Sequence, residues 1–267
     1  KYDYIARNLE NVDNIEEYYC ANIMEFSSED KHSMRWLVDE MLKLIPEKYR
    51  FMLNNIKICK LAKSIEMGFP HTHGDTIFIS EHFINKLNKY YKVIDAIKNI
   101  GITLIHEQVH VLQRENPYKF KDLYENYWNF VYNNREIVGL DNYKIYNRSN
   151  PDGLDISWLL KLDDDTILCM AVYKQDEIRL DNVEYIGVFL RKDKSDNKLL
   201  ISKVELLYNI TSFNDYFNIN INHYHPNEIS AELISNYYGY LMGIINIDLT
   251  SPAIKKLILW LDNINLI

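Results

Sequence analysis

The sequence predicts an α+β protein, in which helices and strands occupy separate stretches of the chain. Apolar residues recur at helical spacing from 93 to 115 and from 226 to 244, whereas β-like runs fill 56–80 and 154–208. The chain has 267 residues, of which 47% are hydrophobic. That is enough to bury a sizeable core. We therefore expect one folded domain that covers residues 1–267.

The first half of the chain begins with helices and then forms a small sheet. Helices are predicted across 1–50, because Ser28-Glu29-Asp30 signals a helix start before an apolar 3.6-residue pattern. Strands are predicted at 56–66 and 76–80. The intervening residues 68–75 contain Gly, Pro and Asp, so a loop is expected there, and a further helix should follow the second strand.

The longest helical pattern covers Val93 to Glu115 and is interrupted only by Gly101. Pro117 should stop this helix, and a second helix is expected from Lys119 to Tyr132. These residues complete an N-terminal lobe, 1–116, and a helical connection, 117–149.

The second half of the chain starts with a β-rich insertion over 150–222, built from hairpins, in which Asn150-Pro151-Asp152-Gly153 has the composition of a turn. Helical patterning returns in a C-terminal segment, 223–267. Within it, Ser251-Pro252 should cap and start the last helix.

Charge and composition exclude several classes of protein. Thirty Lys and Arg against 38 Asp and Glu give a net charge of −8, so nucleic acid is not an expected partner. There is no apolar run of membrane-spanning length, and no membrane partner is expected. Three distant Cys suit reduced core thiols and a reducing compartment such as the cytoplasm. The chain starts with Lys, so an upstream targeting segment stays open, as does the oligomeric state.

The strongest chemical signal is His106-Glu107-Gln108-Val109-His110, an H-E-x-x-H pattern within the 93–115 helix. Its two imidazoles lie one helical turn apart on the same face, where both can bind one Zn²⁺. A catalytic zinc needs a third protein ligand and an open position. Glu107, next to the first ligand, is placed to take a proton from the attacking water. The alternative is a surface helix with two solvated histidines.

A second motif, His225-Pro226-Asn227-Glu228-Ile229-Ser230-Ala231-Glu232, opens the 226–244 helix. Together the two motifs resemble those of the gluzincin branch of the zincin metallopeptidases, the thermolysin-like enzymes, in which a downstream N-E-x-x-x-[D/E] helix completes the zinc site. The resemblance covers the motifs only. In this sequence the β-rich segment separates them much more widely than in thermolysin.

The resemblance implies one Zn²⁺ per chain, with His106, His110 and Glu228 as ligands, Glu107 as general base and Glu232 orienting a ligand histidine. Alternatively, Glu228 and Glu232 are first-turn acids that complement the helix dipole. Glu136 is the rival third ligand, although it lacks an acid four residues later.

The resemblance also implies a zincin-like two-lobed fold whose edge strand, before the active-site helix, binds an extended peptide. Residues Thr76, Ile77, Phe78, Ile79 and Ser80 occupy that position, and an internal strand is the alternative. His71 and His73 are expected in the preceding loop. The donor to the transition state is sought among His223, Tyr224 and His225, although His225 is equally a candidate for capping the helix.

The expected function is therefore a zinc metallopeptidase that hydrolyses peptides or proteins. The alternative is a catalytically silent zincin-like protein, whose metal is structural and whose β-rich insertion binds another protein.

Overall fold

The computed structural model describes residues 2–150, 157–218 and 224–264 and shows an α+β chain with two mixed sheets. Two compact units are present. The small-sheet unit comprises residues 11–117 and 230–247. The large-sheet unit comprises the described parts of 2–10, 118–229 and 248–264. Each unit is therefore assembled from segments that are far apart in the sequence.

The helices and strands follow one another along the chain in the order in which we number them. The α-helices are α1 Tyr2–Ala6, α2 Ile15–Ala21, α3 Ser28–Leu44, α4 Glu81–Leu87, α5 Val93–Ala96, α6 Ile102–Glu115, α7 Pro117–Asp122, α8 Asp141–Lys144, α9 Thr211–Phe217, α10 Pro226–Leu241 and α11 Pro252–Asn263. The strands are β1 Ile23–Met24, β2 Lys57–Leu61, β3 His71–His73, β4 Thr76–Ser80, β5 Phe130–Tyr132, β6 Ile137–Val138, β7 Trp158–Leu162, β8 Asp165–Tyr173, β9 Val183–Lys192 and β10 Leu199–Leu206.

The sheet of the small-sheet unit has the strand order β1-β2-β4-β3. Strands β2 and β4 run parallel, whereas β1 and β3 pair antiparallel with their neighbours. Helix α6 packs against β3 and β4. Near the end of this helix, Arg114 Nε donates to the carbonyl oxygen of Gly74 at 2.8 Å, in the turn that joins β3 to β4. The H-E-x-x-H helix is therefore fixed to this hairpin.

The sequence located the strand Thr76–Ser80 correctly, but the expectation that it forms a sheet edge is wrong. It lies between β2 and β3, so both of its sides are paired. The edge is formed by His71–His73, within the segment that was expected to be a loop. The turn that closes this hairpin uses Gly74 at a φ of +57°, a conformation that glycine adopts without strain. Turn-forming residues thus flank a three-residue strand.

A single helical run leads into the H-E-x-x-H segment. Helix α5 passes through a π-helical turn, Ile97–Gly101, into α6, so Gly101 does not end the helix. A Cβ on Gly101 would lie 2.6 Å from the sulfur of Met41 on α3. Glycine therefore permits α3 to pack closely on the helix that carries the histidines.

The helix with the second motif is fixed against α6 in the same way. On α10, a Cβ at Gly239 would lie 2.7 Å from Cδ1 of Ile102, the first residue of α6. At the side of the same helix, the Tyr238 hydroxyl donates to the backbone oxygen of Tyr49 at 2.9 Å. These contacts join α6 to the part of α10 that belongs to the small-sheet unit, residues 230–241.

The large-sheet unit contains six strands in the order β5-β7-β8-β9-β10-β6. All neighbouring pairs are antiparallel except β10 with β6. The hairpins expected between 154 and 208 are confirmed as β7 to β10. The connection 117–149, expected to be helical, also supplies the two edge strands β5 and β6. Its predicted helix ends at Tyr127 and is followed by β5, which pairs with β7.

The sequence led us to expect three reduced cysteines in the core. Cys169 is buried, Cys59 is partly buried and Cys20 is exposed, and all three are free thiols. Only one of them is thus a core residue.

None of the helices in the described ranges combines the length and the apolar character that crossing a bilayer would require.

A buried ion pair fastens α3 to the small sheet. Asp30 is only 3% exposed, and its Oδ2 lies 2.8 Å from Nζ of Lys60 on β2. It also accepts hydrogen bonds from Asn88 Nδ2 and from the backbone N–H of Ser27. Burial alone would raise the pKa of Asp30, but the hydrogen bonds from Lys60, Asn88 and Ser27 outweigh it and lower the pKa from 3.8 to about 2.

We expect the Asp30→Ala variant to lose about 3–5 kcal/mol in the free energy of unfolding, because Lys60 would remain buried without its partner. The lowered pKa means that this pair stabilises the fold fully above about pH 4 and less as the pH falls towards 2. Denaturant unfolding from pH 7 to pH 2 measures both effects. The double variant Asp30→Ala/Lys60→Met should recover much of the loss, and equal stability of the two variants would contradict this account.

Candidate metal centre

Three side chains that can bind a metal, His106, His110 and Glu228, lie close together. His106 and His110 come from α6 and Glu228 comes from the first turn of α10. Each offers one ligand atom, and these atoms all lie within 4.8 Å of one another. His110 is buried, and the other two side chains are partly buried. This group can hold a metal ion, and its donors are two imidazole nitrogens and one carboxylate oxygen.

The ring of His110 is oriented by two polar residues behind it. His110 Nδ1 donates to Oε1 of Gln113 at 2.9 Å, and Gln113 Nε2 donates to Oγ of Ser230 on α10 at 2.8 Å. With the amide nitrogen facing Ser230, the amide oxygen faces the ring and favours the proton on Nδ1. In that tautomer Nε2, which lies 3.2 Å from Nε2 of His106, is the nitrogen that can bind a metal.

The ring of His106 is oriented by a carboxylate. Its Nδ1 lies 3.5 Å from Oε2 of Glu232 on α10. The other oxygen of Glu232 accepts a hydrogen bond from Nδ2 of Asn236 at 3.0 Å. A carboxylate that faces Nδ1 favours the proton on that nitrogen, and Nε2 is then the nitrogen that can bind a metal. The structure thus places Glu232 against a candidate ligand histidine.

The Nε2 atoms of the two histidines face each other. Nε2 of His106 and Nε2 of His110 are 3.2 Å apart. With both protons held on Nδ1, these atoms present two lone pairs to each other, which is unfavourable unless a cation lies between them. Two nitrogens bound to one tetrahedral Zn²⁺ at 2.0–2.1 Å would be about 3.3 Å apart. The spacing and the donor set therefore fit zinc.

Glu228 lies in the first turn of α10, which belongs to the large-sheet unit, and residues of the same unit contact it. Asn150 Nδ2 donates to Glu228 Oε1 at 2.5 Å and lies 3.4 Å from the Tyr224 hydroxyl. Burial, followed by the charge of Glu228, raises the pKa of Tyr224, so its hydroxyl stays protonated. Burial lowers the pKa of Arg148, but Tyr224, Tyr185 and Glu228 raise it more strongly. The glutamate therefore lies near a fixed positive charge.

The predicted general base is buried, and the predicted transition-state donors differ in their contacts. Glu107 is buried on α6, between the two histidines in sequence. Tyr224 is buried and stacks on Tyr185 with ring centroids 5.5 Å apart. His225 Nδ1 accepts the backbone N–H of Asn227 at 3.1 Å, which is the capping contact that the sequence offered as the alternative. His223 lies outside the described residues. The assignment of a transition-state donor stays a prediction.

The rival third ligand, Glu136, and the two histidines His71 and His73 lie outside this group. Glu136 is exposed, and its Oε2 is 3.1 Å from Nζ of Lys198. Among the described residues, Glu136 does not belong to the group that can hold a metal. His71 is buried in β3 and stacks on Phe78, whereas His73 at the end of that strand is exposed. Neither histidine belongs to the metal-binding group.

Three residues of the site were not identified from the sequence. Gln113 follows His110 by three residues on a helix, a spacing that brings side chains together, so its contact was readable in principle. Ser230 stands inside the second motif but carries no chemical signature of its own. Asn150 belongs to a stretch with turn composition, of which residues 151–153 lie outside the described residues. Only the folded chain brings it to Glu228.

Comparisons of this chain with protein-family models, with curated proteins and with solved structures gave no match.

We expect Gln113→Leu to weaken zinc binding about 10–100-fold, because His110 would lose the acceptor that fixes its tautomer. Gln113→Glu should bind zinc at least as tightly as the wild type, since a carboxylate accepts the Nδ1 proton more strongly. Competition with a chelator of known affinity measures both. If the Leu and Glu variants bind zinc equally, Gln113 does not orient the ligand.

Proposed function

We propose that this protein is a zinc-dependent metallopeptidase with a zincin-like fold of the gluzincin type. The observation that carries the proposal is the group of His106, His110 and Glu228, in which the two Nε2 atoms lie 3.2 Å apart and a carboxylate oxygen completes the set. Two neutral imidazoles and one anionic oxygen are a donor set that catalytic zinc sites use, and three protein ligands leave one position open.

The roles of the residues follow from their chemistry. His106, His110 and Glu228 would hold the ion, which when bound polarises a substrate carbonyl and makes water acidic. Glu107 accepts the proton of the attacking water and delivers it to the leaving amine. Gln113 and Glu232 keep the protons of the ligand histidines on Nδ1, so that both Nε2 atoms remain donors.

A peptide or protein is the proposed substrate. In the small sheet β3 is one of the two edge strands, and its hairpin with β4 is fixed to α6 through Arg114. An extended peptide adds to such an edge by main-chain hydrogen bonds. The short strand His71–His73 therefore replaces Thr76–Ser80 as the proposed binding edge. The acidic net charge does not favour nucleic acid, and we propose a reducing compartment from the three free cysteines.

The proposal is tested by incubating the purified chain with a mixture of unstructured peptides and identifying the products by mass spectrometry. We expect cleavage that a chelator abolishes and that added Zn²⁺ restores. The control is the Gln113→Leu variant, which should need more zinc for half-maximal recovery than the wild type does.

Two other outcomes are informative. Stoichiometric zinc binding without cleavage of any peptide would favour the silent, protein-binding alternative. No zinc binding, even after zinc is added to the chelator-treated protein, would reject the metal centre as well as the activity.

A further inference from the structure

Asn150 makes a direct hydrogen bond with the candidate third ligand, Glu228. An ionised carboxylate can only accept hydrogen bonds, so the group that faces Glu228 Oε1 must be the amide nitrogen, as the 2.5 Å contact has it. The oxygen that accepts this bond gives up part of its electron density to it. An oxygen that accepts such a bond donates less strongly to a cation than it would without it.

The backbone around Asn150 is anchored, which gives this contact a fixed direction. The backbone N–H of Arg148 donates to Ala171 on β8 at 2.9 Å. The next residue, Ser149, donates its backbone N–H to Oδ1 of Asp3 at 3.2 Å. The segment that leads to Asn150 is therefore attached to β8 and to Asp3.

The neighbours of Asn150 restrict it further. Its Nδ2 lies 3.4 Å from the hydroxyl of Tyr224, and the ring of that tyrosine is buried and stacked on Tyr185. Tyr224 is itself two residues before the helix that carries Glu228. The amide nitrogen thus lies within hydrogen-bonding distance both of a buried hydroxyl and of Glu228 Oε1.

We propose that Asn150 is a positioning residue of the metal centre, which holds Glu228 as a ligand through one oxygen only. This inference rests on the proposed function, because it assigns a task at the same site. If Glu228 bound the ion through both oxygens, it would occupy the position that water and substrate need. Asn150 is the first residue of the β-rich segment 150–222. The sequence leaves the role of this segment open, and the proposal gives one of its residues a task at Glu228.

The test uses the full chain with three substitutions. Asn150→Leu removes the donor, and Asn150→Asp keeps the shape but places a second acceptor against Glu228. Asn147→Leu is the control, because Asn147 lies on the same segment and forms a backbone bridge with Val172. Thermal unfolding of the metal-free proteins shows which variants are folded, and the isosteric Asp variant carries the test if the Leu variant is not.

Two measurements are made on the folded variants. The first is the zinc dissociation constant by chelator competition, which should rise about 10–100-fold for both Asn150 variants and stay unchanged for Asn147→Leu. The second is the visible absorption of the Co²⁺-loaded proteins. It should weaken for Asn150→Leu, since five-coordinate Co²⁺ absorbs less strongly than four-coordinate Co²⁺. A purely structural role would not change this spectrum.

The inference is overturned if both Asn150 variants match the wild type in zinc affinity and in the Co²⁺ spectrum. When the wild type nevertheless binds zinc and cleaves peptides, that result leaves the proposed function intact. If the wild type binds no zinc, the proposed function fails and this inference fails with it.

Discussion

The Glu107→Gln variant is expected to lose peptide hydrolysis almost completely while it retains zinc and its fold. The amide keeps the size and shape of the side chain but cannot accept a proton from water or pass one to the leaving amine. General acid–base catalysis contributes about 10²–10⁴-fold to such reactions. A loss of that size in kcat, with unchanged zinc content, is the expected result.

The matched control is Glu115→Gln. Glu115 is the last residue of the same helix and is exposed, so the identical substitution there should leave activity unchanged. Zinc content and circular dichroism of all three proteins complete the comparison. Full activity of Glu107→Gln would show that another group is the base.

The second large effect is expected for His110→Ala, which should lose zinc and activity together. His110 is only 1% exposed, and its Nε2 is one of the two nitrogens that face each other. Without it, one histidine and one carboxylate remain, too few protein ligands for a catalytic zinc. Zinc content after dialysis against a zinc concentration that fills the wild type is the measurement.

His82→Ala is the control for this substitution, because His82 is exposed on α4 of the same unit. Glu228→Gln should behave in an intermediate way. A neutral amide replaces an anionic ligand, so its activity should recover partly in excess zinc, whereas that of Glu107→Gln should not. An equal zinc content in His110→Ala and in the wild type would place the metal elsewhere.

The helices that carry the two motifs were predictable from the sequence. The apolar 3.6-residue pattern around His106 and His110 gives both the helix and the shared face of the two imidazoles, because spacing alone determines which side chains of a helix are neighbours. The same argument applies to Glu228 and Glu232. The pattern did not reveal the π-helical turn at Gly101, since a single extra residue in a turn leaves the burial of its neighbours almost unchanged.

The short strands were not predictable, for a physical reason. Strand β3 has three residues next to a glycine turn, and β6 has two residues, so neither is long enough to show an alternating pattern. Their pairing with β4 and β10 creates them. The expectation that Thr76–Ser80 forms the sheet edge was wrong because the short strand β3 pairs with it. Which strand lies at an edge depends on the pairing of the whole sheet.

Some contacts around the candidate site follow from helix spacing, whereas others join residues that are far apart in the sequence. Gln113 is one turn from His110, and helix geometry implies the contact. Asn150 and Glu228 are far apart in sequence and meet only because the segment before Asn150 is attached to β8. No local pattern encodes such a pair, and a single sequence offers no other signal for it.

X-ray absorption at the zinc edge of the zinc-loaded protein tests the central claim most directly. The account predicts one ion per chain, with two imidazole nitrogens at about 2.0–2.1 Å, oxygen neighbours at about 2.0–2.2 Å and no sulfur. The imidazole signal should decrease in His110→Ala and stay unchanged in His82→Ala. A spectrum with sulfur at about 2.3 Å, which would indicate a cysteine ligand, or one without imidazole, would contradict a centre built from His106, His110 and Glu228.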